Sequence, residues 1–430
     1  MKFPIRLLET GFILAAIFFA TAPFFTAATG AGDAAGGGAL PLFRVIWAFI
    51  YLVVGIYALL HARRFASIFM DNKPILFLVL LAALSTLWSL DPQYTLRHSV
   101  TLLATTMTGA YFAMRYTPRQ QARLVLIVLS LAILLSIVGE LVAPNLLPPS
   151  VAVGPDPDDG AWHGIYAHKN IFGRIIALAL IAYFSLYPRL QQRLWKNLLL
   201  LAFTGILLVK SHSASAVIVV FITIVSVRTS YLLRWTPKRI FYASTALGTS
   251  ALTGLYLVAT NLSAVTALVG KDATLTGRTT LWKLLLEQIS MRPFLGFGFE
   301  SFWVSEIAER IKGESFQALH AHNGYLDLLL SLGLAGLVLF LAAYAGTLRR
   351  VLVHFRKQPE APSVDTLWPL SMLIFLFLCQ LSESIFATWN PLFWMLFVTV
   401  SCSSRQLEPV HSVQRASSIP AHRLAPADGV

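Results

Sequence analysis

The strongest constraint on this chain is the recurrence of uncharged apolar runs about as long as a bilayer is thick. A helix needs ~20 consecutive apolar residues to cross the hydrocarbon region. Runs suited to that role lie at 7–25, 42–60, 75–90, 99–114, 124–142, 171–187, 198–209, 214–233, 241–262, 325–347, 367–385 and 391–402. A soluble domain carries roughly 25% charged residues. Here the charged share is 12% against 57% hydrophobic, and the mean hydropathy is +0.69. The expected fold is an all-α polytopic membrane protein with about 12 transmembrane helices.

Lys and Arg fix the orientation, because cytoplasmic loops retain positive charge. With the N-terminus inside, the inner loops collect most of the basic residues, among them Arg63, Arg64, Arg119, Arg123, Arg349 and Arg350. The outer loops are left slightly acidic. The net charge of +13 is then a signal of topology and carries no nucleic-acid implication. The opening MKFPIRLLETGFILAAIFFATA has the outline of a signal peptide with small residues at Ala20–Ala22, but Glu9 interrupts it. We read it as a retained first helix. Both termini then face the cytoplasm, as suits a bacterial inner (cytoplasmic) membrane protein. Residues 1–402 form the integral membrane domain, and the Ser-, Pro- and Arg-bearing stretch 403–430 is expected to be a disordered tail. The two cysteines, Cys379 and Cys402, lie in apolar runs and offer no disulfide framework or CxxC metal site.

Against this oily background the stretch from Gly270 to Leu330 turns polar, aromatic and glycine-rich at once. The topology places residues 263–324 outside as one large loop. Within it, Leu281, Leu284, Leu285 and Ile289 recur at helical spacing after Gly277-Arg278, which predicts a short amphipathic helix on the membrane face, ended by Met291-Arg292-Pro293. Thr276 is the expected cap. Arg278 in a first turn opposes the helix dipole, so an anionic ligand would relieve it. The run Gly296–Phe299 (GFGF) predicts a turn for close approach, with Phe302 and Trp303 available to stack on sugar rings or to pack at the interface. The loop closes on His320-Ala-His322 and Asn323.

Two further outer segments gather chemistry. WHGIYAHKNIFGR places His163, His168, Lys169 and Arg174 at the outer mouth of a span, and KSHSASA does the same for Lys210 and His212. Outer cations run against the positive-inside tendency, so they need a reason beyond anchoring. Ser211, Ser213 and Ser215 are explained equally well by close helix approach. The outer loop with Asp91, Arg97 and His98 reads as an interfacial anchor, and Asp156-Pro-Asp158 reads as a solvated turn rather than a metal-holding DxD. The collection suits a lipid diphosphate bearing a glycan, its diphosphate gripped by guanidinium groups without metal. Glycan transfer from it needs charge stabilisation on the leaving diphosphate, which Arg can give, and a base for the acceptor hydroxyl. Histidine titrates near neutral pH, and His322 is the candidate. His320 and His322 alone do not make a zinc site. No metal and no cofactor are assigned.

At GKDATLTGRTTLW, RPFLGFGFESFW and AHNGYLDLLLSLGLAG the sequence resembles the O-antigen ligase/polymerase superfamily. It is most similar to the exopolysaccharide polymerase branch, whose members also show a segment like GIYAHKNIFGR. The resemblance covers roughly residues 75 to 400. It implies a GT-C-like, metal-independent membrane glycosyltransferase acting on undecaprenyl-diphosphate-linked glycan, with an acceptor glycan, outside the cytoplasmic membrane. It implies an essential Arg278 and His322 as general base. Relatives carry a further Arg where this chain has Lys210 and His212, so Lys169, Arg174 and Lys210 all stand as the second diphosphate contact, with His168, Asn323 and Trp303 as neighbouring binding residues. Flippase and chain-length regulator proteins are the implied partners. The competing readings are an O-antigen ligase, which transfers glycan to lipid A core or protein, and a flippase of lipid-linked oligosaccharide. A flippase is expected to place charge near mid-membrane or in broken helices, whereas here the polar chemistry gathers at one end.

Overall fold

Apolar runs with no neighbouring water must close every backbone hydrogen bond internally, which leaves the helix as the only open-ended solution. The computed structural model describes residues 2–24, 41–147, 160–187, 194–232, 278–314, 318–357, 363–385 and 391–406. Among these the regular structure is entirely helical: α1 Lys2–Ala20, α2 Pro41–Leu60, α3 Ala62–Asp71, α4 Lys73–Leu84, α5 Pro92–Arg115, α6 Pro118–Val142 and α7 Lys169–Leu186. There follow α8 Leu194–Lys210, α9 Ala214–Leu232, α10 Arg278–Met291, α11 Glu306–Glu314, α12 Gly324–Lys357, α13 Val364–Ser382 and α14 Pro391–Gln406. Every expected span within the described residues contains a helix, although those expected at 7–25, 75–90 and 367–385 stop short, at Ala20, Leu84 and Ser382. The expected span 241–262, Thr276, the Asp156 and Asp158 turn and the tail beyond 406 lie outside them.

Among the described residues, α6, α7, α12 and α13 are each long and apolar enough to cross a membrane, and α2 with α3 makes a fifth if that pair, bent by 95°, is one span. The protein is a multi-pass membrane protein. Exposed Leu131, Leu134 and Val138 on α6, and Leu334, Val338 and Leu341 on α12, are apolar side chains that only lipid would solvate well.

Local sequence sets several helix starts. Asp91 accepts from the Tyr94 amide at 2.9 Å and Pro92 opens α5, so the stretch expected as a loop before residue 99 is already helix. Thr117 and Gln120 form a reciprocal capping box at α6. The expected inner loop near Arg63 and Arg64 is also helical, as α3, with Phe65 buried and both arginines exposed.

α13 is the central strut. It packs against α6, α7, α9, α12 and α14, while α5 lies along α14 and α4 along α12. The C-terminal half of the bundle is pinned at one end by Arg350, which donates to Asn72 at 3.0 Å and to Ser404 at 2.8 Å. The functional candidates sit at the other end, where α7 and α12 begin and α13 stops.

Gly333 breaks α12 at φ 61°, ψ −160°, a conformation open essentially to glycine alone. In an unbroken helix the Leu330 and Ser331 carbonyls would accept from the Leu334 and Ala335 amides. Here they accept from Phe297 and Gly298 instead, at 2.7 and 3.0 Å. The freed amides donate to Pro293 and Phe294, at 2.8 and 3.1 Å. The RPFLGFGF stretch is thus threaded into the helix break. Its glycines do serve close approach, but the approach is to the chain itself: a Cβ on Gly296 would come within 2.5 Å of the Leu330 carbonyl oxygen. Phe302 is fully buried, so it packs and does not stack on a ligand.

The helix expected after Gly277 is α10, and it ends at Met291 as its Arg-Pro stop requires. Its apolar stripe differs in what it faces. Leu281 and Leu285 are buried against Phe297, Phe302, Ala308, Ile311, Ala321 and Leu330, a small core belonging to the loop itself. The loop carries enough aromatic and aliphatic surface to satisfy α10, so this stripe does not need the membrane.

Candidate active site

Three helices begin where α13 ends. α7 carries Asn170 and Arg174 one turn apart on one face. α10 opens with Arg278, and α12 is preceded by His320-Ala321-His322 and capped by Asn323, whose Oδ1 accepts from the Tyr325 and Leu326 amides at 3.0 and 3.3 Å. The group they surround is Glu383, the C-cap of α13 and 3% exposed.

Glu383 is shared. Its Oε1 accepts from the Asn170 side chain, through Nδ2, at 2.8 Å and lies 3.5 Å from Arg278 Nη2. Its Oε2 lies 3.4 Å from His322 Nδ1, 3.6 Å from Arg174 Nη1 and 4.0 Å from His320 Nε2. Arg278 also donates through Nη1 to the Ser382 carbonyl at 3.1 Å, and its Nη2 is 3.5 Å from His322 Nδ1. Arg174 is 8% exposed, lies over the Phe393 ring at 5.9 Å, and has a buried Nε with no hydrogen-bond partner among the described residues.

The electrostatics follow from this crowding. Burial alone would raise the Glu383 carboxyl, but His322 by charge and hydrogen bond, then Arg174 and His320, hold it well below the usual carboxylate range. Desolvation first, then the neighbouring His322, pushes the His320 imidazole well below its ordinary range. Neutral His320 accepts from the His322 amide at Nδ1, 3.1 Å away, which puts its proton on Nε2, toward Glu383. Two guanidinium groups therefore face one carboxylate. The surplus positive charge, with three helix N-termini converging, makes an anion site.

His322 is 4% exposed and held at φ 50°, a left-handed backbone that costs about 1–3 kcal/mol and recurs at functional sites. The loop before it is braced by Asp327, which accepts from the Trp303 indole at 2.7 Å, from the Ala321 amide at 3.2 and 3.1 Å, and from Ser384. Trp303 is thus tied to the brace through its N–H.

The sequence-derived candidates sort plainly. Arg174, Arg278 and His322 come together. His168 caps α7, accepting from the Asn170 amide at 3.1 Å, and Lys169 is that helix's first residue. Lys210 closes α8 with its ammonium 5.8 Å from the Trp162 ring, and His212 is exposed at φ 48°. Ser213 packs on Gly173, where a Cβ would come within 2.7 Å, so this serine of KSHSASA serves close helix approach. Sequence reasoning missed Asn170 and Glu383. A glutamate in the run LFLCQLSESIF is itself expensive, and that was the available signal.

His320, His322 and Glu383 bring their donor atoms within 4.8 Å of one another, a spacing a metal could use. Arg174 and Arg278 already compensate the one carboxylate, and two fixed cations at 3.6 and 3.5 Å from it repel a third. The donor set suits an anion better than a metal.

Residues 197–341 match the O-antigen ligase family. Over 229 residues the chain is 29% identical to the exopolysaccharide production protein ExoQ of Rhizobium meliloti (strain 1021). Both similarities point to the O-antigen ligase/polymerase superfamily. The alignment takes in 48% of this chain and 51% of ExoQ, so it spans about half the length of that relative. The matched family stretch carries Arg278, His320 and His322. Asn170, Arg174 and Glu383, which complete the cluster here, lie outside it.

Proposed function

We infer that this chain is an O-antigen ligase/polymerase superfamily member that polymerises lipid-diphosphate-linked oligosaccharide repeats into exopolysaccharide, transferring the growing glycan to an acceptor sugar hydroxyl. The observation that carries the reading is the gathering of Arg174, Arg278 and His322 on one buried carboxylate, Glu383. The guanidiniums stabilise charge on the departing diphosphate, and His322 takes the hydroxyl proton. Arg174, rather than Lys169 or Lys210, is the second diphosphate contact, because it shares Glu383 with Arg278. The chemistry is metal-independent. An undecaprenyl carrier fits a site at the end of an apolar bundle, its tail among the helices. About twelve spans in a GT-C-like arrangement, with cytoplasmic termini and a periplasmic site in the bacterial inner membrane, complete the proposal.

Purified protein in liposomes, given lipid-linked repeat without metal or nucleotide, should elongate it. Transfer only to lipid A core would make the protein a ligase, and movement of repeat across the bilayer without new glycosidic bonds would make it a flippase.

A further inference from the structure

His322 Nδ1 faces two groups that cannot both use it. Arg278 Nη2, at 3.5 Å, can only donate, and Glu383 Oε2, at 3.4 Å, can only accept when ionised. A bare Nδ1 accepts from Arg278 and leaves the proton on Nε2, the wrong tautomer for a base acting there. A protonated Nδ1 donates to Glu383 and leaves the Nε2 lone pair for the acceptor hydroxyl. Which tautomer prevails depends on how much of Arg278 is otherwise engaged.

We propose that Glu383 is the positioning residue of the transfer reaction, and that binding of the donor diphosphate switches His322 into its basic tautomer by drawing Arg278 away from His322 and both arginines away from Glu383. The inference rests on the function proposed above. The diphosphate oxygens compete with Glu383 for both guanidiniums, which prefer the doubly charged, bidentate partner. Glu383 is held in place meanwhile by Asn170, so its charge falls on His322. The groups facing this carboxylate are Asn170 and Arg174 from α7, Arg278 from α10, and His320 and His322 ahead of α12. In the step itself the acceptor oxygen forms a bond to the anomeric carbon, and the bond from that carbon to the diphosphate oxygen breaks. The diphosphate leaves on its lipid with the electron pair, and the hydroxyl proton goes to His322 Nε2. The imidazolium so formed is balanced by Glu383, the role a carboxylate plays behind histidine in hydrolytic triads.

The test is the kinetics of the full chain in liposomes, with a lipid-diphosphate-linked repeat as donor, for wild type, Glu383→Gln and Glu383→Asp. Glu383→Gln keeps an acceptor for Asn170 but removes the charge. Its kcat should fall about 100-fold or more, while its donor KM stays level or falls, because a competing anion has gone. The acidic limb of its pH–rate profile should move to lower pH, and Glu383→Asp should recover at least a tenth of wild-type kcat. A Glu383→Gln kcat within about threefold of wild type, or an intact kcat with a raised donor KM, would overturn the assignment. If Glu383→Gln does not fold, Glu383→Asp decides by the same split: lowered kcat with unchanged KM supports the role, and raised KM alone refutes it. Wild-type protein that forms no glycosidic bond sinks the proposed function as well, whereas active wild type with indifferent Glu383 variants sinks this inference only.

Discussion

Asn170 donates a 2.8 Å hydrogen bond to Glu383 across 213 positions of chain, from the same turn of α7 that aims Arg174 at the same carboxylate. One face of α7 therefore sets both the acid and one of its cations. Arg174→Ala should cut transfer by about 100-fold or more, the usual cost of losing one preorganised charge stabiliser. Lys210→Ala, at the Trp162 contact, should stay within about threefold. The comparison is made on purified protein with lipid-linked repeat, and equal losses in the two variants would return Lys210 to candidacy.

On the proposed function the reaction needs no metal. Chelation with EDTA should leave elongation by the reconstituted protein within about 20% of the untreated rate, since two arginines already compensate one buried carboxylate. Loss of activity on chelation, restored by one divalent ion, would instead assign His320, His322 and Glu383 as its ligands.

Gly333→Ala should lower stability by about 3 kcal/mol or more, combining backbone strain with overpacking. The added Cβ would lie 2.3 Å from the Phe294 carbonyl carbon, and backbone cannot swing aside as a long side chain can. The readout is the thermal midpoint of detergent-purified protein. A midpoint equal to wild type would mean that the helix break is not needed.

Asp327→Asn should loosen the loop that delivers His322, because one of two acceptors for Trp303, Ala321 and Ser384 becomes a donor. Activity should fall about 10–100-fold, as outer-shell losses do, with insertion unchanged. Trp303→Phe, which removes one donor to that brace, should cost less; the opposite order would point to direct glycan contact by Trp303.

Glu300 sits on left-handed backbone, and burial, reinforced by Asp327, pushes its carboxyl up to about 8 from an ordinary 4.5. The folded protein thus binds more protons than the unfolded chain between those values, so this contribution to stability is full below 4.5 and lost as pH rises through 8. Glu383 and His320 are shifted downward, and their contributions fade only below 4.5 and 6.5 respectively. Thermal midpoints at pH 7 and pH 9 therefore report on Glu300 through the difference between wild type and Glu300→Gln. Wild type should lose stability over that interval, and Glu300→Gln should lose clearly less; identical slopes would exclude the effect.

The sequence made the individual anomalies visible but not their partners. Arg278, His322 and Arg174 stood out because charge and imidazole are scarce beside apolar spans. Glu383 stood inside a run that hydropathy counted as membrane, and nothing local reveals that it meets Asn170 or Arg174. Lys210 and His212 looked equivalent to Arg174 for the same reason: only packing distinguishes a cation resting on Trp162 from one pressed on a carboxylate. The helices were legible from periodicity and caps, whereas the break at Gly333 was hidden because two glycines in an apolar run, Gly333 and Gly336, read equally well as a packing surface.

The threading of RPFLGFGF into α12 also bears on how substrate reaches the site. Were that stretch to swing out, four backbone groups of the helix and four of its own would be stripped of partners beside lipid, each at a cost of several kcal/mol. It is a splint, not a door. On the proposed function, the donor and the lengthening glycan must come and go, turnover after turnover, past a wall that stays shut.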